Sequence, residues 1–169
     1  PYVYNRNYST WSNSGSNFLY AYRSSSTSTS TNYADTTMAI MPEIQGIGQG
    51  TKQLKFYART TSSGRPGTVI IGLTDAAGTP SSLRLLDTVY APQTSYSQYT
   101  IFLDGATSGD SRVAFVFLRE IGTYDYVCID DVEISDIPAC PEPILLTDNG
   151  TTQTTASVSW TSTSSSHEI

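Results

Sequence analysis

Adjacent carboxylates at Asp130 and Asp131 are the sharpest polar feature of the sequence, because they interrupt an otherwise apolar strand. Carboxylates buried there must be paired, hydrogen-bonded or metal-bound. Ca²⁺ suits them, being a hard cation that takes carboxylate and carbonyl oxygens in flexible geometry. The alternative is that both cap turns or accept backbone and arginine hydrogen bonds. On strand alternation only one of the two points inward.

Catalytic constellations find little material. The only histidine is His167, near the end of the chain, so no Ser-His-Asp or Cys-His set assembles in the main domain. Glu43, Asp87, Glu120 and Asp125 supply carboxylates, but no spacing singles out a pair for glycoside hydrolysis. They read as solvated surface groups, and the chain reads as no enzyme.

A sugar site needs flat aromatic faces beside charged or amide side chains. Lys55, Tyr57 and Arg59 offer that mixture on the non-core face of one strand, and Tyr20 and Tyr22 could share that side. The plainer reading is that these are ordinary exposed tyrosines of a sandwich sheet. Cys128 and Cys140 flank the last strand and a proline-rich junction. In an oxidising compartment they could form a disulfide clasping strand to linker. Alternatively Cys128 is a small buried hydrophobe and Cys140 pairs elsewhere. Asn7-Tyr-Ser9 and Asn149-Gly-Thr151 are formal N-glycosylation sequons, relevant only in a eukaryotic host.

The surrounding chain is 169 residues, 38% hydrophobic and 14% charged, with a net charge of −6. Ser and Thr together number 48, against 9 Lys plus Arg. The seven arginines are scattered singly among acids, which excludes the basic stripe that nucleic-acid binding needs. The longest apolar stretches, Thr68–Leu73 and Val113–Leu118, fall far short of the roughly 20 residues that cross a bilayer, so no membrane span is expected. Abundant Tyr, Thr and Ser favour strands over helices.

Period-two runs place strands at Phe18–Arg23, Thr37–Met41, Gln53–Arg59, Thr68–Thr74, Leu83–Tyr90, Tyr99–Leu103, Arg112–Leu118 and Tyr126–Ser135. Alternation is sharpest where Leu54, Phe56 and Ala58 oppose Lys55, Tyr57 and Arg59, and where Val113, Phe115 and Phe117 share a face. Ser62–Gly67, Asp75–Pro80 and Asp104–Asp110 supply turns, and Ser24–Thr31 reads as a solvated loop. The expected architecture is all-β: an antiparallel sandwich.

Three prolines between Ile137 and Pro143 mark a domain boundary. Residues 1–137 form the main domain. Residues 138–169, with strands at Ile144–Thr147 and Ala156–Trp160, begin a second one. The chain opens on Pro1 and ends at Ile169, and it is expected to be a segment of a longer protein.

The segments Ser14–Tyr20, Ala39–Ile44, Leu54–Arg59 and Val127–Ile134 together resemble MAM-like jelly-roll modules. More narrowly they resemble the cleaved-adhesin or "choice-of-anchor" type of Bacteroidetes secreted and surface proteins. The likeness spans about residues 1–136, and its most specific piece is Ile129–Val132. Cys140–Pro143 with Thr154–Trp160 resembles the first strands of a fibronectin type III domain, in which Trp160 would pack into the core.

The resemblance implies a jelly-roll sandwich that acts in adhesion or recognition outside the cell. It also implies that Asp130 is the inward-pointing member of the pair and holds a structural Ca²⁺ together with an acid of the first strand. In Bacteroidetes, Asp35-Thr36-Thr37 and Asp87-Thr88-Val89 match an O-glycosylation consensus, which makes Thr36 and Thr88 candidate sites. The family's opening Phe-x-Glu strand and Trp-containing segment are expected to lie upstream of Pro1, and the eukaryotic MAM cysteine set is missing. The partners implied are a cell-surface glycan or protein, or neighbouring domains and copies of the module itself. The alternatives to an adhesin are an ancillary carbohydrate-binding module of a secreted hydrolase and a structural spacer.

Overall fold

The structure, a computed structural model, describes residues 2–23, 37–61, 67–91, 93–117, 125–139, 141, 144–152 and 154–161. The chain divides into two compact units, Pro1–Ser135 and Asp136–Ile169, just ahead of the boundary that the prolines suggested.

The first unit is built of β1 (Tyr2–Asn7), β2 (Asn17–Arg23), β3 (Thr37–Ile40), β4 (Lys52–Thr60), β5 (Gly67–Thr74), β6 (Arg84–Ala91), β7 (Ser97–Phe102), β8 (Arg112–Phe117) and β9 (Asp125–Asp136). These form a five-stranded sheet in the order β1-β2-β9-β4-β7 and a four-stranded sheet in the order β3-β8-β5-β6. From β3 onward the chain passes repeatedly from one sheet to the other. This is an antiparallel β-sandwich of jelly-roll type.

Alternation decides which side chains meet between the sheets. Leu54, Phe56 and Ala58 of β4 face Val69, Ile71 and Leu73 of β5 and Val113, Phe115 and Phe117 of β8, all buried. Val127 and Ile129 of β9 join the same core. The Phe56 ring stacks on Tyr99, with centroids 5.6 Å apart, and meets the edge of Phe115 at 5.3 Å. One side chain thereby couples a strand of its own sheet to a strand of the other. The opposite face of β5 and β8 is also apolar, with Ile70, Ala114 and Val116 packed beneath Met38 and Leu83. That explains why Thr68–Leu73 is a continuous apolar run rather than an alternating one.

β1 is the strand that the sequence reading did not place. It pairs antiparallel along the whole of β2, from Tyr2↔Tyr22 to Asn7↔Asn17. Val3 turns into the core.

Turn geometry at the far end is fixed by Asp110. Its Oδ2 accepts the Thr107 N–H (2.8 Å) and the Thr107 hydroxyl (3.0 Å), and pairs with the Arg84 guanidinium. Burial alone would raise this carboxyl's pKa, but the Thr107 and Arg84 donors outweigh it and hold the group below the usual carboxylate range.

The second unit contains β10 (Ile144–Thr151) and β11 (Ala156–Thr161), an antiparallel pair with two register shifts. Trp160 is partly buried there. No helix among the described residues is long and apolar enough to cross a membrane.

Candidate functional site

The outer face of the five-stranded sheet carries a cluster of aromatic side chains. With Val3, Ala21, Val127 and Ile129 in the core, the alternate residues turn outward: Tyr4 and Arg6 of β1, Phe18, Tyr20 and Tyr22 of β2, and Tyr126 and Cys128 of β9. Register sets Tyr4 beside Tyr20 and Tyr20 beside Cys128, with Tyr22 beside Tyr126. Tyr22 and Tyr126 stack with centroids 5.0 Å apart, and Tyr4 tilts against Tyr20 at 5.3 Å.

The β1–β2 connection folds back over this face. Tyr8 N–H donates to Ser16 O (2.8 Å) and closes the loop, which brings Trp11 against Tyr20 at 6.2 Å with Tyr8 edge-on to it at 5.7 Å. Tyr96 Oη donates to Trp11 O (2.8 Å) and pins the loop from the β7 side. Phe18, Tyr20 and Cys128 are buried beneath these rings, whereas Tyr4 is 39% and Tyr8 50% exposed. Arg6 lies over the ledge, its guanidinium carbon 4.7 Å from the Tyr20 centroid and 5.5 Å from that of Tyr4. Burial, reinforced by neighbouring groups, pushes the Tyr20 phenol up to about 12, and burial raises Tyr96 further still. Both stay neutral and can donate hydrogen bonds at any physiological pH.

The expected sugar triad is only partly available. Lys55 and Tyr57 lie on this outer face, with Tyr57 Oη donating to Gln98 Oε1 at 3.1 Å. Arg59 is a structural pillar: its guanidinium lies 5.7 Å from the Trp11 ring centroid and 5.3 Å from that of Tyr96, and Nη1 donates to Thr94 O at 3.1 Å. Tyr20, proposed as part of the same surface, is buried. The partly exposed ledge of Tyr4, Arg6, Tyr8 and Trp11 lies across the sheet toward β1 and was not read from the sequence. The alternation of Tyr2, Tyr4 and Arg6 with Val3 was its available signal.

Asp130 and Asp131 tie the ledge loop to β9. Asp130 Oδ2 accepts Asn13 N–H (2.7 Å) and Ser14 N–H (3.3 Å), and Oδ1 accepts Asp131 N–H (2.9 Å). Asp131 accepts the Asn13 amide at Oδ2 (2.8 Å) and the Ser14 hydroxyl at Oδ1. Asp130 was expected to point inward, but with Val127 and Ile129 in the core it falls on the outer side, buried under the loop rather than between the sheets. Asp131, at φ 47°, then breaks the alternation so that Ile134 returns to the core side.

The contacts of the pair are with protein donors rather than gathered around a cation. Every carboxylate oxygen of the pair already faces an N–H or O–H donor, and among the described residues no group of three or more His, Cys, Asp or Glu gathers to hold a metal.

Of the two readings of Cys128, the structure has the small buried one: its thiol is free and fully buried. Burial raises its pKa against the pull of Arg59 and Tyr96, so it is an unreactive thiol packed among rings. Cys140 lies outside the described residues. In a Cys140→Ser variant, a maleimide reagent should leave the native protein unlabelled and label one thiol in denaturant. Rapid native labelling would contradict the packing.

Thr88 is exposed on β6, and Thr36 lies outside the described residues. Glu43 and Asp87 are exposed and on separate elements. His167, Glu120 and the low-complexity stretch Ser24–Thr31 lie outside the described residues, as does the side chain of Asp125.

No protein-family model matches the sequence, and no curated protein matches it. Solved structures do. The fold is similar to the K1 cleaved adhesin domain of Lys-gingipain from Porphyromonas gingivalis W83, with a TM-score of 0.57 and 16% identity, covering 78% of this chain and 82% of that one. The K2 cleaved adhesin domain of Lys-gingipain gives 0.54 and 13%, covering 75% and 77%. A family 30 carbohydrate-binding module of a Clostridium thermocellum cellulosomal cellulase gives 0.53 and 10%, covering 79% and 82%. The first unit is a cleaved-adhesin-like β-sandwich.

Proposed function

We propose that the first unit is a non-catalytic recognition module of a secreted or surface-displayed protein, and that it binds glycan on the ledge of Tyr4, Arg6, Tyr8 and Trp11. The observation that carries this reading is the set of partly exposed rings held rigidly on one sheet face. A pyranose presents an apolar C–H face that packs on such rings, while hydroxyls around its rim take hydrogen bonds from neighbouring polar groups. Fixing the rings through Tyr96, Asp130 and Asp131 removes entropy that binding would otherwise have to overcome. The likeness to a carbohydrate-binding module and to cleaved adhesin domains supports the same reading.

In this reading the module belongs to the MAM-like, choice-of-anchor type, and the second unit is the start of a fibronectin type III domain. Whether the parent protein is an adhesin or a secreted hydrolase does not alter what the ledge does.

A glycan array followed by titration calorimetry tests the reading. Tyr8→Ala should weaken a bound glycan about tenfold, the loss of one aromatic contact, without changing the melting temperature by more than a degree or so. A silent array together with concentration-dependent self-association would replace recognition by a spacer role.

A further inference from the structure

Arg6 differs from the other arginines whose side chains are described. Arg84 is engaged by Asp110 and by Gly105 O, Arg112 by Ala76 O and Met41 O, and Arg59 by Thr94 O between two rings. Arg6 donates only to Tyr4 Oη, at 3.4 Å, and among the described residues it meets neither a carboxylate nor a carbonyl. The carboxylates that hold the ledge loop, Asp130 and Asp131, are turned onto Asn13, Ser14 and the backbone. Arg6 therefore presents an unneutralised guanidinium, held by Tyr4 and Tyr20, at the edge of an exposed aromatic surface. Its planar fork of N–H donors matches the two oxygens of a carboxylate.

We propose that the ledge takes an acidic sugar, with a pyranose ring packing on Tyr4 and its carboxylate gripped by Arg6. This rests on the glycan reading above and names the ligand class of that site. The net charge of −6 opposes a long polyanion, so the fitting ligand is a carboxylate-bearing unit within a largely neutral glycan rather than a densely charged strand.

The probes are a trisaccharide carrying a single uronic acid, its neutral methyl ester, and the same trisaccharide with that unit replaced by the corresponding 6-sulfated sugar, each titrated at low ionic strength. The acid should bind about tenfold to a hundredfold more tightly than the ester, as expected for a charge-assisted hydrogen-bond pair. That advantage should shrink as salt rises. Arg6→Gln should reduce the acid-to-ester ratio to about one, and Arg6→Lys should restore only part of it, because an ammonium lacks the fork. Equal binding of acid and ester by the unaltered protein overturns the proposal and leaves the glycan reading standing. So does an Arg6→Gln variant that keeps the ratio, or tighter binding of the sulfated sugar than of the acid. Binding of neutral array glycans but of neither the uronic-acid trisaccharide nor its ester has the same consequence. Absence of binding to every probe and to the whole array removes both.

Discussion

Asp130→Ala should lower the melting temperature of the first unit by roughly 6–12 °C, corresponding to about 2–4 kcal/mol. Three N–H groups converge on this carboxylate, from Asn13, Ser14 and Asp131, and the group is only 9% exposed. Truncation removes the shared acceptor of three N–H donors at a part-buried, charge-assisted site, so the cost exceeds that of one surface bond. The ledge loop should loosen as well, because its hold on β9 runs through the same contacts. Asp131→Ala should cost less than about 1 kcal/mol, since its bonds to Asn13 and Ser14 lie at the exposed surface.

The same geometry sets the outcome with chelator. The pair's contacts are made with N–H and O–H donors of the ledge loop and β9, so EDTA should leave the unaltered protein's melting temperature unchanged. A fall of several degrees in EDTA, reversed by Ca²⁺, would show that the Asp130–Asp131 pair holds an ion after all and that the loop contacts rearrange around it.

Much of the sandwich was legible because its central strands alternate cleanly. Leu54, Phe56 and Ala58 announced the buried face of β4, and Val113, Phe115 and Phe117 that of β8. β1 was not legible: Asn5, Arg6 and Asn7 give it too few apolar positions for an alternating pattern, and it gains its place through pairing with β2. The outward direction of Asp130 was in principle readable, because the phase set by Val127 and Ile129 dictates it. The inward assignment came from resemblance, which carried a metal-binding orientation onto a strand whose own pattern points the other way. The site was hidden for a different reason. Its rings come from β1, β2, β9 and the two flanking loops, and the contacts that assemble them join residues as far apart as Asn13 and Asp130. A local window that selects Lys55, Tyr57 and Arg59 has no means of knowing that Trp11 and Tyr96 will close on Arg59.

Phe56→Ala carries the largest expected loss, about 3–5 kcal/mol. The side chain is fully buried, and it touches Tyr99 in its own sheet and Phe115 in the other. Its removal opens a cavity where the two sheets are joined, and close-packed neighbours on rigid strands collapse into that space only partly. Against a total stability of about 5–15 kcal/mol this is a large fraction. The urea midpoint should fall sharply at nearly constant m-value, and Phe56→Leu, which refills part of the volume, should recover more than half of the loss. A midpoint shift below about 1 kcal/mol would mean that the sheets are not held together at this point. Phe56 points away from the ledge, so its variant, assayed well below its melting point, should keep glycan affinity, whereas Tyr8→Ala should lose affinity and keep stability. That opposition separates the two faces of the five-stranded sheet by function: the inner face supplies the fold, and the outer face is free to supply recognition.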